Sequence, residues 1–96
     1  SYTPFQTEYI SIVDGEGVRG AVPQLVRKKA SDNIDIMFRP SAVYRNASAV
    51  AESEGKVICR KKASIYTPGE MAVLTLKGQD LSNISASVIT IKIETE

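Results

Sequence analysis

The side chains here whose types and spacing point most directly to chemistry are cationic. The pentapeptide Arg-Lys-Lys-Ala-Ser occurs twice, as Arg27-Lys28-Lys29-Ala30-Ser31 and as Arg60-Lys61-Lys62-Ala63-Ser64. The flanking residues of the two copies do not match, so the repeat is not read as a duplicated fold. Guanidinium and ammonium groups neutralise phosphates, and aromatic rings set among them stack on unpaired bases. The chemistry implied is recognition of a polyanion. The candidate residues are Arg27, Lys29, Arg39, Arg45, Lys56, Arg60 and Lys62 for charge, with Tyr44 and Tyr66 for stacking. Phe38 is a weaker stacking candidate, because its place in an alternating run points it inward.

Net charge hides this polarity. The chain of 96 residues carries +1. Residues 18–69 hold ten basic and four acidic residues, a net +6, while residues 1–17 carry −3 and residues 70–96 carry −2. The middle of the chain is basic and both ends are acidic.

Other chemistries are poorly supplied. There is no histidine, no tryptophan and a single cysteine. Imidazole acid–base catalysis, zinc sites built on histidine or paired cysteines, and an intrachain disulfide are therefore excluded. Cys59 lies on the apolar side of an alternating run and reads as a small buried residue. The stretch Gly15-Glu16-Gly17-Val18-Arg19-Gly20 matches the dinucleotide pattern G-x-G-x-x-G. That pattern binds pyrophosphate only where a helix starts at once, and here Pro23 follows with no amphipathic helix. It reads as a flexible glycine-rich hairpin loop. The acidic pairs Asp14 with Glu16, Asp32 with Asp35, and Glu52 with Glu54 lack the regular ligand spacing of a calcium loop and read as solvated turn acids. A non-enzyme without metal or cofactor is expected.

The elements that must position the cations are strands. From Ser87 to Glu94, Ile89, Ile91 and Ile93 fall on one face while Val88, Thr90, Lys92 and Glu94 fall on the other. This period of two is the mark of a half-buried strand. The segments Glu8–Val13, Asn33–Arg39, Lys56–Tyr66 and Met71–Lys77 alternate in the same way, and Gln24–Lys29 does so more weakly. Asp14-Gly15 and Thr67-Pro68-Gly69-Glu70 read as turns, the second joining its flanking strands as a hairpin. Between Pro40 and Gly55, the spacing of Val43, Ala47 and Val50 suits either a short helix or a structured loop.

The expected fold is a single all-β domain over residues 1–96: a small antiparallel barrel or sandwich of five to six strands, with at most one short helix. The expected core is Ile10, Ile12, Ile34, Ile36, Phe38, Val57, Cys59, Ile65, Leu74, Leu76, Ile89, Ile91 and Ile93. On Lys56–Tyr66 the opposite face would carry Lys56, Arg60, Lys62 and Tyr66 together. Single-stranded RNA or DNA, or another polyanion, is the expected partner of that basic face. The alternative is a structural subunit of coat, sheath or scaffold type that self-associates through its sheet as a homo-oligomer. The given chain has no apolar run near the ~20 residues needed to cross a bilayer. Its first residues, Ser1 to Phe5, lack the basic and apolar regions of a signal peptide. A cytoplasmic or virion-associated protein that does not engage membranes is expected.

Overall fold

The computed structural model describes residues 9–28 and 32–96. Among them, eight strands and one helix follow in the order β1 (Tyr9–Asp14), β2 (Val18–Val22), β3 (Leu25–Arg27), β4 (Ile34–Pro40), β5 (Tyr44–Ser53), β6 (Lys56–Tyr66), β7 (Ala72–Leu76), α1 (Gly78–Ser82) and β8 (Val88–Thr95). The strands make a five-stranded sheet ordered β3-β1-β8-β5-β6 and a three-stranded sheet ordered β2-β4-β7, which do not close into a barrel.

One apolar cluster serves both sheets. The isoleucine stripe of β8 and Ile10 and Ile12 of β1 bury against Ile36 and Phe38 of β4 and Leu74 and Leu76 of β7. Side chains that alternate along each strand put these residues on one face. The β5 strand adds Ala47, Ala49 and Ala51, and α1 adds the buried Leu81.

Three expectations change. The strands number eight among the described residues rather than five or six, because β2 and β5 carry weak strand signals. The β2 strand is short and holds Gly20, while β5 is built on alanine and serine, which favour strands little. The Pro40–Gly55 segment is therefore mostly strand, not helix or loop. Its end is a two-residue hairpin turn in which Glu54 and Gly55 are both left-handed, at φ 50° and 80°. That backbone matches the natural twist of a tight hairpin. Finally, the sheets are not wholly antiparallel, since β1 and β8 run parallel, with Ser11 beside Val88 and Asp14 beside Ile91.

The two expected turns exist but act as corners between sheets. At Thr67-Pro68-Gly69-Glu70 the Glu70 N–H donates to the Thr67 carbonyl at 3.1 Å. It leads from β6, paired with β5, to β7, paired with β4. The glycine-rich stretch leads from β1 in one sheet to β2 in the other. It is pinned rather than loose: Gly15 donates to the Ile91 carbonyl at 2.7 Å, and Ile93 donates to the Glu16 carbonyl at 2.9 Å. A side chain at Gly15 would collide with Thr90, which explains glycine there. The Asp14 carboxylate accepts the N–H groups of Gly20 and Ala21, each at 2.9 Å. Those bonds hold the irregular stretch of β2 between Arg19 and Val22.

Most of the expected core is buried, but Ile34 and Cys59 are only half-buried, and Val57 and Ile65 are 46% and 42% exposed. The register explains Val57. Ala51 pairs with Cys59, yet Glu52 pairs with Val57, so Ile58 is an extra residue on β6. This bulge turns Val57 to the outer face. Replacing Ile91 with Ala is expected to cost about 2–5 kcal/mol by lost transfer energy and cavity formation. Replacing Val57 with Ala is expected to cost less than about 0.5 kcal/mol. Urea denaturation of the two variants checks the contrast, and similar losses would mean the bulge is misplaced.

Candidate functional site

The outer face of the five-stranded sheet is where the sequence placed its basic patch. Arg60 and Lys62 of β6 do project there, as the register partners of Val50 and Ser48 on β5. The far neighbours of those two β5 residues are Lys92 and Glu94 on β8. Cations of β6 thus come within reach of carboxylates on β8, across a strand whose own side chains are small.

They pair. Arg60 Nη1 lies 3.0 Å from Glu94 Oε1, and Lys62 bonds Glu96. Lys92 Nζ lies 3.0 Å from Glu52 Oε2 and 3.4 Å from Glu94 Oε2. Arg60, Lys92, Glu52 and Glu94 form one neutral network, and Lys62 with Glu96 forms a separate neutral pair beside it. Hydrogen bonds first from Arg60 and then from Lys92 hold the Glu94 carboxyl below its ordinary value, and Lys62 does the same for Glu96. The Glu52 carboxylate, more than Glu94, raises Lys92. Isolated surface pairs contribute little. Here they also cover an apolar side chain: Val50 is wholly buried yet lies outside the core cluster, with Arg60 and Lys92 as its register partners. The aliphatic stems of such residues shield apolar surface while their charged ends stay wet.

The remaining candidates lie elsewhere. Tyr66 is 7% exposed. Its hydroxyl donates to the Lys61 carbonyl at 2.5 Å, and its ring sits 6.5 Å from that of Phe38. Simple alternation put it beside Lys62. On β5, however, the inward phase changes across Asn46, left-handed at φ 50°, so that Tyr44 faces the core as Ala47 does. Tyr44 and its register partner Tyr66 both turn toward the core. Neither ring is free on the Arg60 face. Phe38 is wholly buried, as its alternation indicates.

Arg27 lies on β3, at the opposite edge of the sheet, with its guanidinium 5.6 Å from the Tyr9 ring centre. Arg39 belongs to the other sheet and donates to the Pro68 carbonyl at 2.6 Å. Its register partner is Arg19, which the sequence reading did not select. Arg45 is exposed opposite Ile65. Lys56 pairs with Ser53 beyond the bulge and lines a hollow with Ile58 and Asn83 instead of joining Arg60. Lys29 lies outside the described residues. The structure therefore brings Arg60 and Lys62 together and distributes the others over both sheets.

A different order emerges from strand position. Among the described residues the edge strands are β2, β3, β6 and β7. They carry Arg19, Arg27, Lys56, Arg60, Lys61 and Lys62, and no carboxylate. Every acidic residue within a strand, namely Asp14, Asp35, Glu52 and Glu94, lies on an interior one. The repeated pentapeptide begins on β3 and recurs on β6, the two edges of one sheet. Cations on exposed edges oppose pairing with another copy.

These ion pairs make a testable pH profile. Glu94 and Glu96 titrate below their ordinary 4.5 in the fold, so their stabilisation is complete above that value and is lost as pH falls through the lowered folded values. Lys92 is raised above 10.5, so its contribution is complete below that value and is lost as pH rises through its folded pKa. Burial raises Tyr66 above 10.0, outweighing the hydrogen bond from Ala49, and its contribution also fades on the alkaline side. Unfolding measured from acid to alkaline pH at low salt is expected to show both losses. Replacing Glu94 and Glu96 with Gln should shrink the acid-side loss, and an unchanged profile would mean that the pairs do not form in solution.

Compared with protein-family models, with curated proteins and with solved structures, the chain matches none.

Proposed function

We propose that this chain is a non-enzymatic structural module of an open two-sheet sandwich, which joins a larger assembly by lending a cationic sheet edge to an acidic segment of another protein. The observation that carries the reading is the division of charge between edge and interior strands. Interior carboxylates are engaged within the chain: Glu52 and Glu94 in the ion-pair network, Asp14 on the backbone of β2, and Asp35 with the Thr75 hydroxyl. Of the edge cations, Arg60 and Lys62 are matched by Glu94 and Glu96, while Arg19, Arg27, Lys56 and Lys61 form no ion pair among the described residues.

Edge-to-edge pairing of two copies is opposed by the same arrangement. Two β6 strands laid antiparallel about Lys61 would set this cation, which has no carboxylate partner among the described residues, against Lys61 of the other copy. Like charges directly opposite destabilise a strand pair. A partner strand bearing carboxylates reverses the sign of that interaction. The C-terminal strand β8 is interior, between β1 and β5, so its edges are already filled.

Single-stranded nucleic acid is the second reading. It is favoured by Arg19 and Arg39, two exposed guanidinium side chains directly opposite each other on the three-stranded sheet. Such binding weakens with salt at a slope of about −0.7 per phosphate contacted.

The two readings and self-association respond differently to salt. Raising ionic strength from 0.1 to 1 M shortens the screening length from about 10 to about 3 Å. In gel filtration with light scattering, poly-L-glutamate is expected to comigrate with the protein at low salt and separate at high salt. The protein alone is expected to be monomeric at low salt and to associate only as its edges are screened. Indifference to poly-L-glutamate at low salt, or edge pairing of copies strongest at low salt, would sink the assembly reading. Binding of oligo-dT but not poly-L-glutamate would select nucleic acid.

A further inference from the structure

The two sheets approach closure along one seam, where β6 and β7 lie side by side without pairing. The seam holds a groove of about 280 Å³ whose lining includes Lys61, Ala63, Ile65, Met71 and Val73, with Glu70 at the turn. Across it, side chains of β6 cap the backbone of β7. Lys61 Nζ donates to the Val73 carbonyl at 3.4 Å, and the Cys59 thiol donates to the Thr75 carbonyl at 3.3 Å. The N–H and C=O of one residue leave a strand on the same side. The amides of Val73 and Thr75 therefore also face the seam, away from β4.

We propose that this seam is a docking site for an extended peptide that alternates acidic and apolar residues and pairs with the β7 edge. The inference rests on the edge-binding reading above and names which edge, and which residues, receive the partner. Adding a strand to a sheet edge gains affinity from backbone bonds and selectivity from alternate side chains. Here the backbone offers Val73 and Thr75. Ile65 and Met71, both substantially exposed, offer apolar contact. Charge selects the sign of the remaining side chains. Lys61 stands in the groove, Arg45 is the register partner of Ile65, and Arg39 is held at Pro68 beside the turn, against a single carboxylate at Glu70.

Docking is an exchange. An incoming carboxylate takes the Lys61 ammonium, which lets go of the Val73 carbonyl. That carbonyl and the N–H of Val73 itself then enter a ladder with the incoming strand, and the Thr75 carbonyl joins it as the Cys59 thiol gives way. No covalent bond changes.

The test is an NMR titration of the whole chain with a synthetic peptide of about ten residues alternating Glu and Val, the length of a long strand. A peptide with Lys in place of Glu and an oligo-dT of equal charge serve as comparators. The Glu peptide is expected to shift the amides of Val73 and Thr75 and slow their exchange with solvent. Lys61→Glu should weaken it by about tenfold or more. Lys61→Gln should have a smaller effect, and Lys28→Glu, at the far edge, should have none. Thermal melts of each variant confirm an intact fold. Shifts confined to β2 or β3 would overturn the seam while leaving edge binding in place. No shift on any edge strand would overturn both. An equal response to oligo-dT, lost in the same Lys61 variants, would replace the peptide with nucleic acid.

Discussion

The β8 strand sets the plan of the molecule, because it must satisfy two neighbours and two faces at once. Its isoleucines bury in the core shared by both sheets. A strand has a side-chain period of two, so committing Ile89, Ile91 and Ile93 inward commits Lys92 and Glu94 outward. With β5 next to β8 and β6 beyond it, those outward charges fall within reach of Arg60. The hydrophobic register thus determines the electrostatics of the opposite face. A slip of one residue would undo both.

That dependence explains why a basic patch in the sequence is not a basic patch on the surface. Arg60 and Lys62 are far along the chain from Glu94 and Glu96, but only β5 separates β6 from β8, which carries Glu94 and leads into Glu96. The small or compact residues Ser48 and Val50 on β5 leave room for long side chains to meet over it. The resulting ion pairs are neutral where they lie. The cations that retain an outward role are those for which the topology supplies no interior acid, and these gather at sheet edges and along the unclosed seam.

The seam has a structural cause as well. The turn at Thr67–Glu70 carries the chain from one sheet to the other instead of folding β7 back onto β6. Side chains of Cys59 and Lys61 then occupy backbone acceptors that a paired strand would have used. Edge carbonyls capped by side chains are protected against indiscriminate pairing, yet they can be exposed by exchange with a stronger ligand for the ammonium.

Local pattern alone identified the strands whose apolar residues alternate cleanly, and it identified most of the core: β1, β4, β7 and β8 place nearly the same residues inward as their alternation implies. Charge segregation between the basic middle and acidic C-terminal region was also visible, and it was the one signal that Glu94 and Glu96 could answer Arg60 and Lys62. Pattern failed at β5, where alanine and serine carry little strand preference and the spacing of Val43, Ala47 and Val50 imitates a helix. It failed for Val57 and Tyr66, because a bulge at Ile58 and a left-handed residue at Asn46 break the period of two, and neither is encoded in the residues it displaces. Which cations are neutralised and which are left free was decided only by strand order, since electrostatic attraction depends on distance in space and strand order is what converts separation along the chain into that distance.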